Sequence, residues 1–111
     1  MQILKILKIL ADTKDNQIAY LKDLGNLNFT DELALEFDYT YQVFKWKFEE
    51  SYVAPLHKIK VLGNLDCINS IFEEMSNSSD NSIWNNSSLD NQEWNTIRKI
   101  ALETLPLILN F

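Results

Sequence analysis

Apolar residues recur along this chain at steps of three and four, the spacing that stacks side chains on one face of an α-helix. In residues 3–11, Ile3, Ile6, Leu7 and Leu10 share such a face while Lys5 and Lys8 fall on the opposite side. The segment is short and the whole chain acidic, so a core-packing helix is favoured over one lying in a membrane interface. Residues 15–24 repeat the spacing through Ile18, Leu21 and Leu24, and Gly25-Asn26 provides a C-terminal stop. The two segments predict a helical hairpin.

Residues 29–52 carry two conflicting periods. Phe29, Leu33, Phe37, Tyr41, Phe44, Phe48 and Tyr52 follow a helical repeat, and Thr30 before Asp31 and Glu32 reads as an N-cap with a negatively charged first turn. Leu33, Leu35, Phe37, Tyr39 and Tyr41 also alternate as a half-buried strand would, in a segment rich in β-favouring residues. A strand over 33–48 needs a break near Gln42 and Val43, because about 16 residues exceeds the usual strand length. If the segment is a helix, Leu35, Tyr39, Val43 and Trp46 form a second apolar face opposite the Leu33/Phe37/Phe44/Phe48 face. Charges fall in two stripes between them, Asp31, Asp38, Lys45 and Glu49 on one and Glu36 and Lys47 on the other. Such a helix either sits centrally in a bundle or offers one face to a partner.

Pro55 stands where a helix tolerates it best, at its start, and Leu56, Ile59, Leu62, Leu65, Ile68, Phe72 and Met75 follow at helical steps. Gly63-Asn64 predicts a split into two pieces, and 57–62 reads alternatively as a short strand. The Ser- and Asn-rich stretch 76–88 is a polar loop carrying Ile83 and Trp84, with the indole either tucked against the core or held out for binding. Asp90 and Glu93 stand at capping-box spacing ahead of a stripe of Trp94, Ile97, Ala101, Leu105 and Ile108, and Pro106 predicts a kink or an end. The expectation is an all-α compact bundle of about four to five helices. The alternative is an α+β arrangement with strands within 33–48 and 57–62.

With 111 residues, the chain has the size of one domain, 1–111, interrupted by the loop at 76–88. Only two glycines and two prolines occur, too few for the many tight turns of a β-sandwich. Sixteen acidic against ten basic residues give a formal charge of −6, which disfavours nucleic acid and anionic lipid and attracts a basic partner. No run of apolar residues is long enough to span a bilayer, and Met1 to Lys8 lacks a signal-peptide pattern.

Catalytic chemistry has few candidates. Cys67 is the one cysteine and His57 the one histidine, so neither a disulfide nor a His/Cys metal cluster is available within the chain. Cys67 is expected in the core. Gly25 and Gly63 open no phosphate-binding loop, and no cofactor or metal is expected. Paired carboxylates around Glu36, Asp38 and Glu49 leave a small acid–base enzyme as a minor reading; the main expectation is a binding protein, not an enzyme. Glu49, Glu50, Glu73 and Glu74 close adjacent segments and are expected to converge into one acidic patch.

The profile of the whole chain resembles the immunity proteins encoded beside bacterial polymorphic toxins, including those of contact-dependent growth inhibition systems. The residues carrying the resemblance are the acids from Asp31 to Asp38, Glu49-Glu50, the Tyr39/Trp46 face, and the Ser/Asn loop with Trp84. That class implies a cytoplasmic protein, monomeric when free, that forms a heterodimer with one cognate toxin, often a basic nuclease, and covers its active site. The partner-binding candidates are Asp31, Glu36, Asp38, Tyr39, Trp46, Glu49, Glu50, Glu73, Glu74, Asp80 and Trp84. The competing expectation is a helical adaptor or assembly subunit that binds through an apolar helix face.

Overall fold

A computed structural model describes residues 2–23, 25, 30–77, 84 and 86–109. Five α-helices follow in order: α1 (Gln2–Leu10), α2 (Lys14–Asp23), α3 (Asp31–Glu49), α4 (Pro55–Ser76) and α5 (Gln92–Leu109), with a 3₁₀ turn at Asn86–Asp90 before the last. The all-α expectation holds, and both strand alternatives fail, since 33–48 and 57–62 lie inside helices.

The alternation that suggested a strand in α3 comes from two stripes on opposite sides of one helix. Leu33, Phe37, Tyr41, Phe44 and Phe48 are buried, while Leu35, Tyr39, Val43 and Trp46 face outward. Thr30 does not use its hydroxyl to cap α3. Instead its N–H and its hydroxyl both donate to the Trp84 carbonyl, at 2.5 and 3.2 Å, so the start of α3 is tied to the segment leading into α5. Asp31 and Glu32 still place negative charge against the positive end of the helix dipole.

Helix α4 runs unbroken through Gly63-Asn64, correcting the expected split. Packing of Val61, Leu65, Ile68, Phe72 and Met75 holds it together and outweighs the roughly 1 kcal/mol helix penalty of an interior glycine. The expected apolar stripe did not survive whole. Successive steps of three fall short of a full turn by about 60° each, so Leu56 and Ile59 rotate away from the Leu65–Met75 line and lie exposed. Cys67, next to Ile68 and about 100° around the helix from it, is exposed and is not the core residue expected.

The helices α1, α3, α4 and α5 form a ring of four neighbours, and α2 leans on α1 and the 3₁₀ turn. α3 and α4 are antiparallel. Phe48 meets His57 with ring centroids 6.5 Å apart, Tyr41 donates to Asp66, and Phe37 meets Phe72 at 5.7 Å. Phe72 in turn packs edge-on against Trp94 of α5 at 5.4 Å, so an aromatic line crosses three helices. Ile3, Ile6, Leu7 and Leu10 of α1 all enter the same core, leaving Lys5 and Lys8 in solvent.

α5 departs from expectation at both ends. Asp90 belongs to the 3₁₀ turn and binds Lys14 at 2.7 Å rather than capping the helix, which begins at Gln92. Pro106 neither ends nor breaks α5 in this fold. The hydrogen bond it removes would have gone to the carbonyl of Leu102, itself on the exposed side, so water can satisfy that group. Beyond the proline, Ile108 is buried and anchors the last turn.

Candidate partner-binding face

The outer stripe of α3 is the largest exposed apolar feature on any one helix among the described residues. Leu35, Tyr39, Val43 and Trp46 are 60%, 70%, 41% and 64% exposed. They follow at steps of four, four and three, which sets them in a line about 16 Å long. The core already takes the opposite side of α3, so burial within the chain does not explain these four residues.

Charge borders the stripe on both sides. One flank carries Asp31, Asp38, Lys45 and Glu49; the other carries Glu36 and Lys47, while Glu32 and, just past the helix, Glu50 stand at the two ends of the line. Glu73 reaches the same region from α4, where it lines a hollow with Asp38, Leu35 and Asn69, and Asn69 donates to its carboxylate at 3.2 Å. Among the described residues, none of these carboxylates has a lysine or arginine nitrogen within ion-pair distance; the ion pair present is Lys14–Asp90. Lys45 lies 5.8 Å from the centroid of the Tyr41 ring instead.

Glu36 is held from behind. The Tyr20 hydroxyl of α2 lies 2.9 and 2.7 Å from its two carboxylate oxygens and donates to the pair. Partial burial, then the Glu36 carboxylate and the charge of Glu32, push the Tyr20 pKa up to about 12, so the phenol stays neutral and remains a donor. Between α1, α2 and α3 this pair borders a cleft of about 360 Å³ that also takes in Lys5, Glu32, Leu35 and Tyr39.

The sequence-predicted acids do not all meet. Glu49 and Glu50 lie at the α3–α4 turn, whereas Glu73 and Glu74 lie at the other end of α4, about 27 Å along the helix from Pro55. The expected four-carboxylate patch therefore does not form: antiparallel packing separates the two pairs and puts Glu73 beside the first half of α3. Glu74 is exposed and remote from the stripe's C-terminal half. Trp84 is half-buried and packs against the core, the tucked-back arrangement. Asp80 lies outside the described residues.

His57 and Cys67 do not make a nucleophile and base, being ten residues apart on one continuous helix and so about 15 Å from each other. Glu36 and Asp38 point to different flanks of α3. Five cleft residues went unanticipated as site residues: Gln2, Lys5, Ile6, Tyr20 and Thr40. Only the tertiary approach of α1 and α2 to α3 places them there, and their local spacing carries no sign of it.

A second exposed apolar group lies at the α3–α4 turn, formed by Tyr52, Leu56 and Ile59. Ile59 also lines a shallow groove with Pro55, Leu62 and Gly63. No helix among the described residues is long and apolar enough to cross a membrane. Comparison of the chain with protein-family models, with curated proteins and with solved structures finds no significant match.

Proposed function

We propose that this chain is a protein-binding inhibitor of the immunity type, a cytoplasmic bacterial protein that neutralises one cognate toxin by laying the outer face of α3 over the toxin's active site. The observation that carries the reading is the exposed Leu35/Tyr39/Val43/Trp46 line inside an acidic border. An interface of this kind works in two stages. Unpaired carboxylates draw a basic surface in, and aromatic side chains then supply the dry centre where most binding energy concentrates. A basic nuclease fits this best, because carboxylates can occupy positions that otherwise receive phosphate. Asp31, Glu36, Asp38 and Glu73 provide the charge at one end of the line; Trp46, Glu49 and Glu50 stand at the other.

The test is coexpression with the product of the reading frame directly upstream, followed by purification and measurement of association rate against salt. A stable one-to-one complex whose on-rate falls steeply with ionic strength is expected. Failure of the two products to bind sinks the proposal.

The Tyr52/Leu56/Ile59 group favours a second reading, a helical adaptor or assembly subunit binding an apolar surface. Salt-insensitive oligomers of the isolated chain would select it over the first.

A further inference from the structure

We infer that the cleft between α1, α2 and α3 is a receptor for one arginine side chain of a protein partner, with the guanidinium held between Glu32 and Glu36 and stacked on Tyr39. The inference rests on the α3 face being a protein-binding surface and adds the anchoring group that surface receives.

Four features of the cleft agree on this chemistry. Its volume, about 360 Å³, admits a long side chain. Its lining includes Ile6 and Leu35, which suit the methylene stem of an arginine. Two carboxylates line it with no lysine or arginine nitrogen within ion-pair distance among the described residues, and Lys5, a basic residue of its wall, stops short of both. Finally, the ring of Tyr39 is largely exposed beside them, a platform on which a planar guanidinium can stack.

Glu36 is preorganised in the free protein. The Tyr20 hydroxyl fixes its carboxylate while occupying one donor's share of about four acceptor sites, so lone pairs remain for a ligand. The side-chain entropy that normally weakens an exposed ion pair is already spent in the free protein. Arginine suits the site better than lysine because its fork reaches two acceptors at once and its flat face covers an aromatic ring.

The experiment is an NMR titration of the full chain with N-acetyl-arginine amide, with N-acetyl-citrulline amide as the neutral isostere. Saturable shifts of the Tyr20 and Tyr39 ring signals are expected with arginine, at millimolar half-saturation. Binding should be about tenfold weaker for citrulline and for Glu36→Gln, the difference between a charge-assisted and a neutral hydrogen bond. Lys5→Ala removes the repelling charge and should tighten binding. Circular dichroism of Glu36→Gln and Lys5→Ala checks that both remain folded. Shifts that rise without saturation, or that match for arginine and citrulline, overturn the assignment. If toxin binding persists through Trp46 while arginine shows no saturable site, the cleft assignment alone falls; saturable arginine binding in a chain with no protein partner overturns the inhibitor reading instead.

Discussion

Gln17 Oε1 accepts a hydrogen bond from Arg98 Nη2 at 2.8 Å, in a position where Gln17 has no exposure to solvent. The Gln17 amide donates in turn to the carbonyls of Ile9 and Leu10, at 3.0 and 3.2 Å, and Arg98 Nε donates to that of Asp12 at 3.1 Å. Two side chains thereby satisfy the open carbonyls at the end of α1 and bind α1, α2 and α5 at one corner. Burial lowers the Arg98 pKa, with Asp90 opposing, yet guanidinium basicity leaves the charge in place. Replacing Gln17 by Leu leaves buried acceptors and an arginine donor without partners, so a loss of about 1–3 kcal/mol is expected. Urea unfolding should show a lower midpoint at unchanged slope.

The two faces of α3 should respond oppositely to substitution. Phe37→Ala opens a cavity beside Tyr41 and Phe72 and should cost about 3–5 kcal/mol of stability. Trp46→Ala removes only solvent-facing surface and should change stability by no more than about 0.5 kcal/mol. In the complex with a toxin, the same change should cost about 2 kcal/mol or more of binding. Thermal melts and calorimetric titration of both variants separate these effects. A destabilised Trp46→Ala variant would mean that the outer stripe supports the fold.

Gly63→Ala should stabilise the chain by roughly 0.5–1 kcal/mol, through helix propensity and a less flexible unfolded state. A methyl added there meets no atom within 4 Å, so no clash opposes the gain. The shift in melting temperature measures it. A loss of stability would show that the exposed groove along α4 is tighter than its geometry implies.

Tyr20 should titrate apart from an ordinary tyrosine. Its pKa is raised from 10.0 to about 12 by partial burial first and then by Glu36. A raised acid pKa means that the folded state binds the proton more tightly than the unfolded state. Its contribution to stability is thus complete below pH 10 and disappears as pH climbs to about 12. Glu36→Gln removes the charge that reinforces the shift, so the Tyr20 ionisation should move down toward 10. Absorbance at the phenolate band, with Tyr20→Phe as the blank, follows it directly.

Helix α1 was fully legible in the sequence because its apolar residues admit a single face, and all four that share it are buried. α3 was harder. Two stripes on opposite sides mimic the alternation of a strand, and only helix length and the first-turn acids argued against that. The Gly63 split failed because an interior glycine costs about 1 kcal/mol, which packing at Leu65 outweighs, and Pro106 did not end α5 because Ile108 is buried beyond it. The acids on α3 were identified as candidates from sequence alone, whereas the cleft around Tyr20 depends on how α2 lies across α1, which no local period encodes. The expected union of Glu49 with Glu73 failed for a related reason: antiparallel direction, invisible in either segment, decides which ends meet.

The placement of the three tryptophans equips the protein with its own optical probes. Trp94 is sealed in the core with no hydrogen-bond partner for its indole N–H among the described residues, Trp84 is half-covered beside Thr30, and Trp46 stands in water on α3. Their fluorescence should therefore sort by wavelength and by access to a quencher, with Trp46 red-shifted and readily quenched and Trp94 blue-shifted and shielded. Engagement of the α3 face would be read as a blue shift of Trp46 alone, loosening of the segment before α5 as a change in Trp84, and unfolding as the loss of the Trp94 signature.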